Sequence, residues 1–351
     1  MNVQISQQPT DMAAHSPDSP AVSIVIPTRN RPQYLARLLA CVQEQDLQDF
    51  ECIVVDDGSS EETTAAYDGI WHNLDSRFQL HLREGAREGL GPSKMRNKGI
   101  KLARGMYVAL CDDDDLWIAK DHLSTAARLM AQHGADLYFA NMQYSSNGVV
   151  NNPDHYAAVM KALTSHRVDG AADVFEVSQR GMAAVLRHRT LHSNTIVASR
   201  KTLLDTGLYW EKTNFAEDRD MGFRLFDSAH KTLFRSTAVA QVDVSPHTSL
   251  YRSFAREEKA LFGILTTLHS ETVVQNPALR RIARAVRAWD TLELARVAAA
   301  GGRMGQARAF AFESFLLHPT AAALGTLFES IFRRPARAAA ESRVEDELEP
   351  R

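Results

Sequence analysis

Cysteine and net charge are both scarce in this chain. Its 351 residues include three cysteines, Cys41, Cys52 and Cys111, which lack the CxxC spacing of metal and redox motifs. Each lies inside an apolar segment, as expected for a reduced thiol in the core of a cytosolic protein. The formal net charge is only −3, whereas nucleic-acid-binding domains are usually basic. We therefore expect a cytoplasmic protein that binds no nucleic acid.

Long apolar runs are missing as well. No stretch approaches the roughly 20 apolar residues that a membrane span requires. The first residues also lack the basic segment and the apolar segment of a signal peptide. We expect any membrane association to be peripheral, at the inner face of the membrane.

The amino-terminal half alternates strand and helix patterns. Val22–Ile26 and Glu51–Val55 are short apolar runs typical of buried strands, and residues 34–42 between them carry apolar side chains at helical spacing. A strand, a helix and a strand in this order indicate a βαβ unit with parallel pairing. The alternation continues to Met142, which predicts an α/β fold with a doubly wound, mostly parallel sheet.

Turn and cap residues mark the ends of several helices. Asn30 follows the first strand, and we expect it to cap the helix after it. A helix predicted over Pro92–Arg104 is expected to end with Gly105 as its C′ residue, and one over Asp121–His133 with Gly134.

Four consecutive aspartates follow a short apolar run in the middle of this pattern. The run Met106–Cys111 has the length of a buried strand, so Asp112–Asp115 lie where the chain leaves the sheet. Adjacent carboxylates repel one another and need a compensating cation, and their oxygens suit Mg²⁺ or Mn²⁺. A bare acidic run is more often a solvated loop. The preceding strand and the apolar pair Leu116 and Trp117 favour a metal site here.

A second pair of carboxylates ends another strand. Asp56 and Asp57 close the Glu51–Val55 strand, and parallel pairing would bring them to the same sheet edge as the aspartate run. Gly58 lets a ligand approach the backbone, and an aspartate here can accept a hydrogen bond from a nucleobase or a ribose. The alternative is an ordinary Asp-Gly-Ser turn.

Four further polar residues have two interpretations each. Arg96 lies near a helix start and suits a phosphate group, or it belongs to a solvated helix face. Glu217 and Asp218 begin a helix, where capping and general-base catalysis are about equally favoured. His247 lies in a polar loop and is either a surface residue or a third metal ligand.

Five short motifs, taken together, resemble the family 2 glycosyltransferases, which have a GT-A fold. Any one of them is weak, but five in the right order and spacing are specific, and they cover about residues 22–244. The motifs are Val-Ser-Ile-Val-Ile-Pro-Thr-Arg-Asn-Arg-Pro from Val22, Val-Val-Asp-Asp-Gly-Ser from Val54, Lys-Met-Arg-Asn-Lys-Gly from Lys94, Asp-Asp-Asp-Asp-Leu-Trp from Asp112 and Phe-Ala-Glu-Asp-Arg-Asp from Phe215.

The resemblance implies a binding site for a nucleotide-sugar donor. Asp57, with Asp56 nearby, would bind the nucleobase, and Pro27, Thr28 and Arg29 would line the same site. Arg29 stands where many relatives carry an aromatic residue, and a guanidinium can stack on a base in its place. The expected donor is a UDP-sugar.

The resemblance also implies a metal ion at the donor diphosphate. Asp112 and Asp114 match the DxD motif, which binds Mg²⁺ or Mn²⁺ together with the donor, and Asp113 belongs to an overlapping register. His247 would complete the metal site, as it does in some family members. Arg96 would stabilise the charge on the departing nucleoside diphosphate.

The implied reaction is an inverting sugar transfer to a hydroxyl group. Asp218 would be the general base, and Glu217, His192 and Asn194 would contact the acceptor together with the irregular region Tyr144–Leu191. The acceptor would be a glycan or a lipid-linked precursor of a surface polysaccharide or glycoconjugate. The two competing interpretations are a metal-dependent nucleotidyltransferase, although its glycine- and lysine-rich phosphate loop is missing, and a non-catalytic scaffold protein, although the carboxylates are present.

The chain divides into segments of different composition. Residues 251–340 are rich in alanine and arginine, and we expect them to form a helical C-terminal appendage. This appendage either touches a membrane through basic amphipathic helices or packs on the catalytic domain, and packing is slightly favoured. The expected segments are a disordered leader (1–21), a GT-A domain (22–250) with a nucleotide-binding half (22–142) and an acceptor half (143–250), the helical region (251–340) and an acidic disordered tail (341–351).

Overall fold

Eleven strands form one sheet in the residues that the structure describes. The computed structural model describes residues 19–83, 88–188, 191–213, 215–244 and 254–332, so most of the predicted leader and all of the acidic tail lie outside them. The strands are β1 (Val22–Thr28), β2 (Phe50–Asp56), β3 (Phe78–His81), β4 (Tyr107–Leu110), β5 (Asp115–Trp117), β6 (Leu137–Ser146), β7 (Val149–Asn152), β8 (His166–Arg167), β9 (Val174–Glu176), β10 (Val197–Ser199) and β11 (Thr232–Asp243).

Helices cover the sheet and continue past it. The first eight are α1 (Pro32–Gln43), α2 (Glu61–Trp71), α3 (Pro92–Leu102), α4 (His122–His133), α5 (Met160–Leu163), α6 (Gln179–His188), α7 (Arg200–Asp205) and α8 (Glu217–Ser228). The last four are called the tail helices: α9 (Arg256–Val273), α10 (Pro277–Ala300), α11 (Met304–Leu317) and α12 (Ala321–Phe332).

The sheet is mixed, and its central part is mostly parallel, as the sequence predicts. Its strand order is β3-β2-β1-β4-β10-β6-β11-β9-β8, with β5 paired to β11 and β7 to β6. β1 to β4 pair in parallel, and so do β6 and β11, while the short β10 runs antiparallel between β4 and β6. Alternate residues of β1 enter separate apolar clusters, Val25 on one face and Ile24 on the other. Burial on both faces explains why these strands are continuous apolar runs.

Two of the predicted helix ends are wrong and one is confirmed. Gly134 adopts the left-handed conformation, with φ +62°, directly after α4. Asn30 is not the cap of α1, because it is itself left-handed and its side-chain oxygen accepts a hydrogen bond from the Ser60 amide at 2.8 Å. Gly105 does not end α3 either. A Cβ there would lie 2.6 Å from the Ser23 nitrogen, so this glycine permits close approach to β1.

The tail helices are present, and α10 together with the residue that follows α9 contributes to the core of the α/β domain. Val274 and Ile282 pack in the same apolar cluster as Phe223 of α8. α11 and α12 pack further out, on α10, around small residues such as Ala311. None of the described helices is long and apolar enough to cross a bilayer.

Candidate functional site

A cleft of about 780 Å³ lies at the carboxyl ends of β1, β2 and β4. This is where an open α/β sheet binds ligands, because strand ends and loops leave a crevice there. Residues from all five motifs line it. The predicted site residues among them are Pro27, Thr28, Arg29, Asp57, Arg96, Asp112, Asp113, Asp114, His192, Glu217 and Asp218. Asp56 and Asn194 do not line the cleft, and His247 lies outside the described residues.

The aspartates Asp112–Asp115, called the acidic cluster, form a tight turn between two strands. β4 ends at Leu110, and Asp115 already begins β5, where it pairs with Val242 of β11. The Asp115 amide donates to the Asp112 carbonyl at 3.2 Å, which closes the turn. The sheet therefore holds both ends of the cluster in fixed positions.

Burial and mutual repulsion raise the pKa values of most carboxyl groups in this cluster. Burial and the Asp114 charge raise the pKa of Asp113 to about 7, although Arg31 acts in the opposite direction. Burial and the other three carboxylates hold the pKa of Asp115 well above its usual range. Burial would also raise the pKa of Asp112, but the neighbouring basic groups, Arg96 foremost, together outweigh it and lower that pKa. The site has more acidic groups than nearby cations, which is the condition under which a divalent cation is stabilising.

The residues present fit such a cation, and Asp112 is the ligand that this set shares with the predicted Asp112, Asp114 and His247. Ligand atoms of Asp112, Asp115 and His192 lie within 4.8 Å of one another. The His192 Nδ1 atom is buried and makes no hydrogen bond within the described part of the chain. It lies 3.8 Å from an Asp115 oxygen. Asp114, the predicted ligand, is instead paired with Arg31 at 2.8 Å.

Arg31 is a site residue that the sequence analysis did not single out. Its guanidinium donates to Asp113 at 3.1 Å and to Asp114 at 2.8 Å, and its side chain is 29% exposed. The Thr28 hydroxyl, at the end of β1, also donates to Asp113 at 2.8 Å. Arg31 stands one residue before Pro32, which begins α1, in the segment that faces the acidic run. This position was the signal for Arg31 that the sequence offered. Arg31 therefore contacts two members of the cluster with a side chain that is partly exposed.

Arg96 joins the acidic cluster to helix α8. Its guanidinium donates to Asp112 at 2.5 Å and to Glu217 at 3.0 Å, and its side chain is 3% exposed. The guanidinium carbon also lies 5.1 Å from the centre of the Tyr209 ring. Burial and the Asp218 charge raise the pKa of Glu217 more than Arg96 lowers it. One buried cation therefore holds two acidic elements that are far apart in sequence.

The start of α8 presents a carboxylate to the cleft. Ala216 precedes the helix in a left-handed conformation, with φ +59°, and supplies no side-chain cap. Asp218 accepts a hydrogen bond from the Ser193 hydroxyl at 2.7 Å, and Ser193 in turn lies 3.2 Å from the Tyr209 hydroxyl. Glu217 is occupied by Arg96. Among the described residues, the hydrogen-bond partner of the Asp218 carboxylate is the neutral Ser193 hydroxyl.

The two aspartates after β2 have different surroundings. The Asp56 carboxylate accepts hydrogen bonds from the Gly58 and Ser59 amides and from the Ser59 and Tyr67 hydroxyls. Its acceptor sites are therefore filled by its own turn and by Tyr67 of α2. Asp57 lines the cleft and accepts from the Leu90 and Gly91 amides at 2.9 and 2.8 Å.

Asn194 is fully buried behind the cleft. Its carbonyl accepts a hydrogen bond from the Trp117 indole at 2.8 Å, which ties the 3₁₀ turn Ser193–Thr195 to β5. Its side-chain amide makes no hydrogen bond within the described part of the chain. His192 and Ser193 are thus the members of this turn that reach the acidic groups.

Sequence comparisons agree with this arrangement. A model of glycosyl transferase family 2 matches residues 23–257. The chain is 33% identical over 124 residues to the poly(ribitol-phosphate) beta-N-acetylglucosaminyltransferase TarS of Staphylococcus aureus, covering 34% of this chain and 21% of TarS. It is 34% identical over 96 residues to the GalNAc(5)-diNAcBac-PP-undecaprenol beta-1,3-glucosyltransferase of Campylobacter jejuni, covering 27% of this chain and 30% of that protein. These matches span under a third of either relative's length.

Solved structures share the fold. TarS residues 1–349 in complex with UDP-GlcNAc superpose with a TM-score of 0.61 at 19% identity, covering 88% of each chain. The mannosyltransferase PcManGT from Pyrobaculum calidifontis, in complex with GDP-Man and Mn²⁺, gives a TM-score of 0.58 at 16% identity and covers 93% of this chain and 91% of that one. Identities this low establish the GT-A fold alone.

The family match covers most of the chain and includes all five motifs. Within the matched region, the glycosyltransferase motifs follow one another in the expected order and line one cleft. The chain belongs to glycosyl transferase family 2.

Proposed function

We propose that this protein is an inverting, metal-dependent glycosyltransferase that moves a sugar from a UDP-sugar to a hydroxyl acceptor. The observation that carries the proposal is the meeting of Asp57, the acidic cluster and Asp218 in one cleft. A nucleobase needs a hydrogen-bond acceptor, a diphosphate needs a cation held by carboxylates, and an acceptor hydroxyl needs a base. Asp57, the acidic cluster and Asp218 offer these in this order. The solved complex of the S. aureus relative with UDP-GlcNAc supports the choice of a UDP-sugar.

In this proposal the donor half of the site consists of the β1 and β2 loops. Asp57 accepts a hydrogen bond from the nucleobase, in place of the Leu90 and Gly91 amides, and Pro27, Thr28 and Arg29 flank it. Arg31 pairs with Asp113 and Asp114 in this structure, and because its side chain is 29% exposed, it can turn from them to the diphosphate. Asp56 shapes the turn from behind.

A divalent cation would be held by Asp112 together with Asp115 and His192, or with Asp114 and His247. When bound, Mg²⁺ or Mn²⁺ supplies positive charge to the diphosphate that leaves the sugar. Arg96 does not act as a free phosphate ligand in this account, because Asp112 and Glu217 already occupy it. It keeps the two acidic elements at a fixed separation.

Asp218 acts as the general base. It takes the proton of the acceptor hydroxyl while that oxygen attacks the anomeric carbon and the bond from this carbon to the diphosphate oxygen breaks. Attack from the face opposite the nucleotide inverts the anomeric configuration without a covalent glycosyl-enzyme. Ser193 orients the Asp218 carboxylate by its hydrogen bond at 2.7 Å. Glu217, which also lines the cleft, contacts the acceptor, and His192 does so if the cation is held by Asp114 and His247 instead.

Calorimetric titration with UDP tests the donor site. We expect UDP to bind in the presence of Mn²⁺ and to bind at least about tenfold more weakly without it, since the metal offsets the repulsion between diphosphate and carboxylates. The Asp112→Asn variant should lose this metal dependence. Equal UDP affinity with and without Mn²⁺ would contradict the proposed site.

The metal ligands can be separated by two histidine variants. If the structure-based set is correct, His192→Ala should weaken Mn²⁺ binding by about tenfold or more, while His247→Ala leaves it unchanged. The reverse result would select Asp114 and His247, the ligands expected from the family resemblance. Electron paramagnetic resonance of free Mn²⁺ measures both without any substrate.

A lipid-linked acceptor would place the enzyme at the inner face of the membrane. The C. jejuni relative is named for an undecaprenol-linked substrate. Helix α12 exposes large apolar residues, with Phe328 53% and Phe332 78% exposed, and buries the small Ala323 and Ser330. We propose that this face touches the bilayer, next to the arginines that follow in the sequence.

Vesicle sedimentation tests the membrane contact. The double variant Phe328→Ser and Phe332→Ser should bind vesicles containing anionic lipid less than the wild type does, because it removes apolar area from α12. Val149→Ser with Val150→Ser is the matched control, since both valines are exposed on β7. Equal binding by all three proteins would exclude α12 as the contact.

A further inference from the structure

We infer that helix α9 of the tail positions the catalytic helix α8 through a buried polar node formed by Asp220, His269 and Ser270. The inference rests on the proposed function, because Asp218 is the base only under that proposal. It makes the tail helix a working part of the catalytic unit, with His269 and Ser270 as positioning residues.

The carboxylate at the centre of the node is shielded from solvent and has hydrogen-bond donors at both oxygens. Asp220 is 0% exposed. One of its carboxylate oxygens accepts from His269 Nδ1 at 2.8 Å and from the Ser270 hydroxyl at 2.9 Å. The other accepts from Arg224 Nε at 2.9 Å and Nη2 at 2.6 Å. Two donors belong to α8 itself and two to α9, so the node ties the helices together.

The protonation states of the node follow from its contacts. Burial would raise the pKa of Asp220, but the hydrogen bonds from His269 and Arg224 outweigh it and hold the pKa below its usual range. An ionised carboxylate only accepts hydrogen bonds, so His269 Nδ1 carries a proton. The His269 ring is fixed from its other side by stacking on Trp210, with ring centres 4.2 Å apart and planes 4° apart.

The node lies in the same helical turn as the proposed base, Asp218. Asp218 and Asp220 share the first turn of α8, and the residue before this turn offers no side-chain cap. A helix start without a cap depends on tertiary contacts to hold its first turn. Fixing Asp220 fixes the rotation of this turn, and therefore the direction in which Asp218 points.

A second contact holds the intervening residue of the same turn. Arg219 pairs with Asp290 of α10, and both side chains are largely buried. Gly263 of α9 leaves room for this pair, because a Cβ there would collide with the Asp290 carboxylate and lie 2.8 Å from an Arg219 nitrogen. The tail helices therefore contact the first turn of α8 at Arg219 and at Asp220.

Variants of His269 in the full chain test the inference. His269→Leu removes the donor, and His269→Asn supplies an amide N–H near the position of Nδ1. With UDP-GlcNAc and Mn²⁺ as the probe, we expect His269→Leu to lower kcat for UDP release about tenfold, because a misdirected base costs rate. The KM for the donor should stay within about twofold, because Asp57 and Asp112 are untouched. His269→Asn should restore most of kcat, and His318→Leu, in the exposed turn after α11, is the control.

Hydrogen exchange gives a readout that needs no substrate. His269→Leu should speed amide exchange in residues 217–221, and His269→Asn should restore it. If the wild type released no nucleotide from any nucleotide-sugar, the proposed function would fail while exchange still decided the anchoring. Wild-type kcat and exchange in folded His269→Leu would overturn the inference, as would equal kcat losses in the Leu and Asn variants. Should His269→Leu not fold, Ser270→Ala removes one donor and should give a smaller loss in kcat at unchanged KM.

Discussion

Asp218→Asn is expected to lower the rate of sugar transfer by about 10²- to 10⁴-fold, the usual contribution of a general base. The amide keeps the size of the carboxylate and can still contact Ser193, but it cannot take a proton from the acceptor. Binding of UDP with Mn²⁺ should be unchanged, because Asp57 and the acidic cluster are intact. Steady-state kinetics of transfer, together with a UDP titration, measure both effects.

The control for this variant is Asp205→Asn. Asp205 lies at the end of α7 with its side chain 56% exposed and pairs with Lys201 on the surface. The same chemical change there should leave kcat and UDP binding at wild-type values. Near-normal transfer by folded Asp218→Asn would remove the base assignment, and Glu217 would then be the next residue to test.

Arg96→Met should have the largest effect on stability. The substitution leaves the carboxylates of Asp112 and Glu217 without their shared buried cation, and breaking a buried ion pair from one side costs about 3–5 kcal/mol. We expect the free energy of unfolding to fall by about this amount, together with loss of activity. Denaturant unfolding with and without Mn²⁺ measures the change.

Two further arginine variants test whether the loss of stability in Arg96→Met comes from the buried ion pairs. Arg77→Met removes an ion pair with Asp75 at the surface, and such pairs contribute about 1 kcal/mol or less. Arg96→Lys keeps the charge but cannot reach both carboxylates with a fork of donors, so its stability should lie between Arg96→Met and wild type. Equal stability of wild type and Arg96→Met would show that the two carboxylates do not need this cation.

The layout of the sheet and its ligand-binding edge could be predicted because each depends on local pattern. The β1, β2 and β4 strands are buried on both faces and therefore appear as apolar runs. Parallel pairing then brings Asp57 and Asp112 to one edge without further information. The antiparallel strand β10 could not be predicted in this way, because its three residues are too few to show a periodic pattern.

The partners of each side chain could not be predicted because they are distant in sequence. Arg96 was expected to meet a phosphate, yet Asp112 and Glu217 occupy it. Asp56 and Asp57 look alike in the sequence, and only the Tyr67 hydroxyl and the neighbouring amides separate their roles. The contact between Asp220 and His269 joins two helices whose individual patterns give no sign of it.

The most direct measurement of the central claim is release of nucleoside diphosphate from a panel of UDP-, dTDP- and GDP-sugars with Mg²⁺ or Mn²⁺, by wild type and by Asp112→Asn and Asp114→Ala variants. We predict metal-dependent release from a UDP-sugar that Asp112→Asn abolishes, while the effect of Asp114→Ala reports whether that carboxylate holds the metal. No release from any donor, with no metal-dependent binding of any nucleotide, would contradict the assignment of this cleft to sugar transfer.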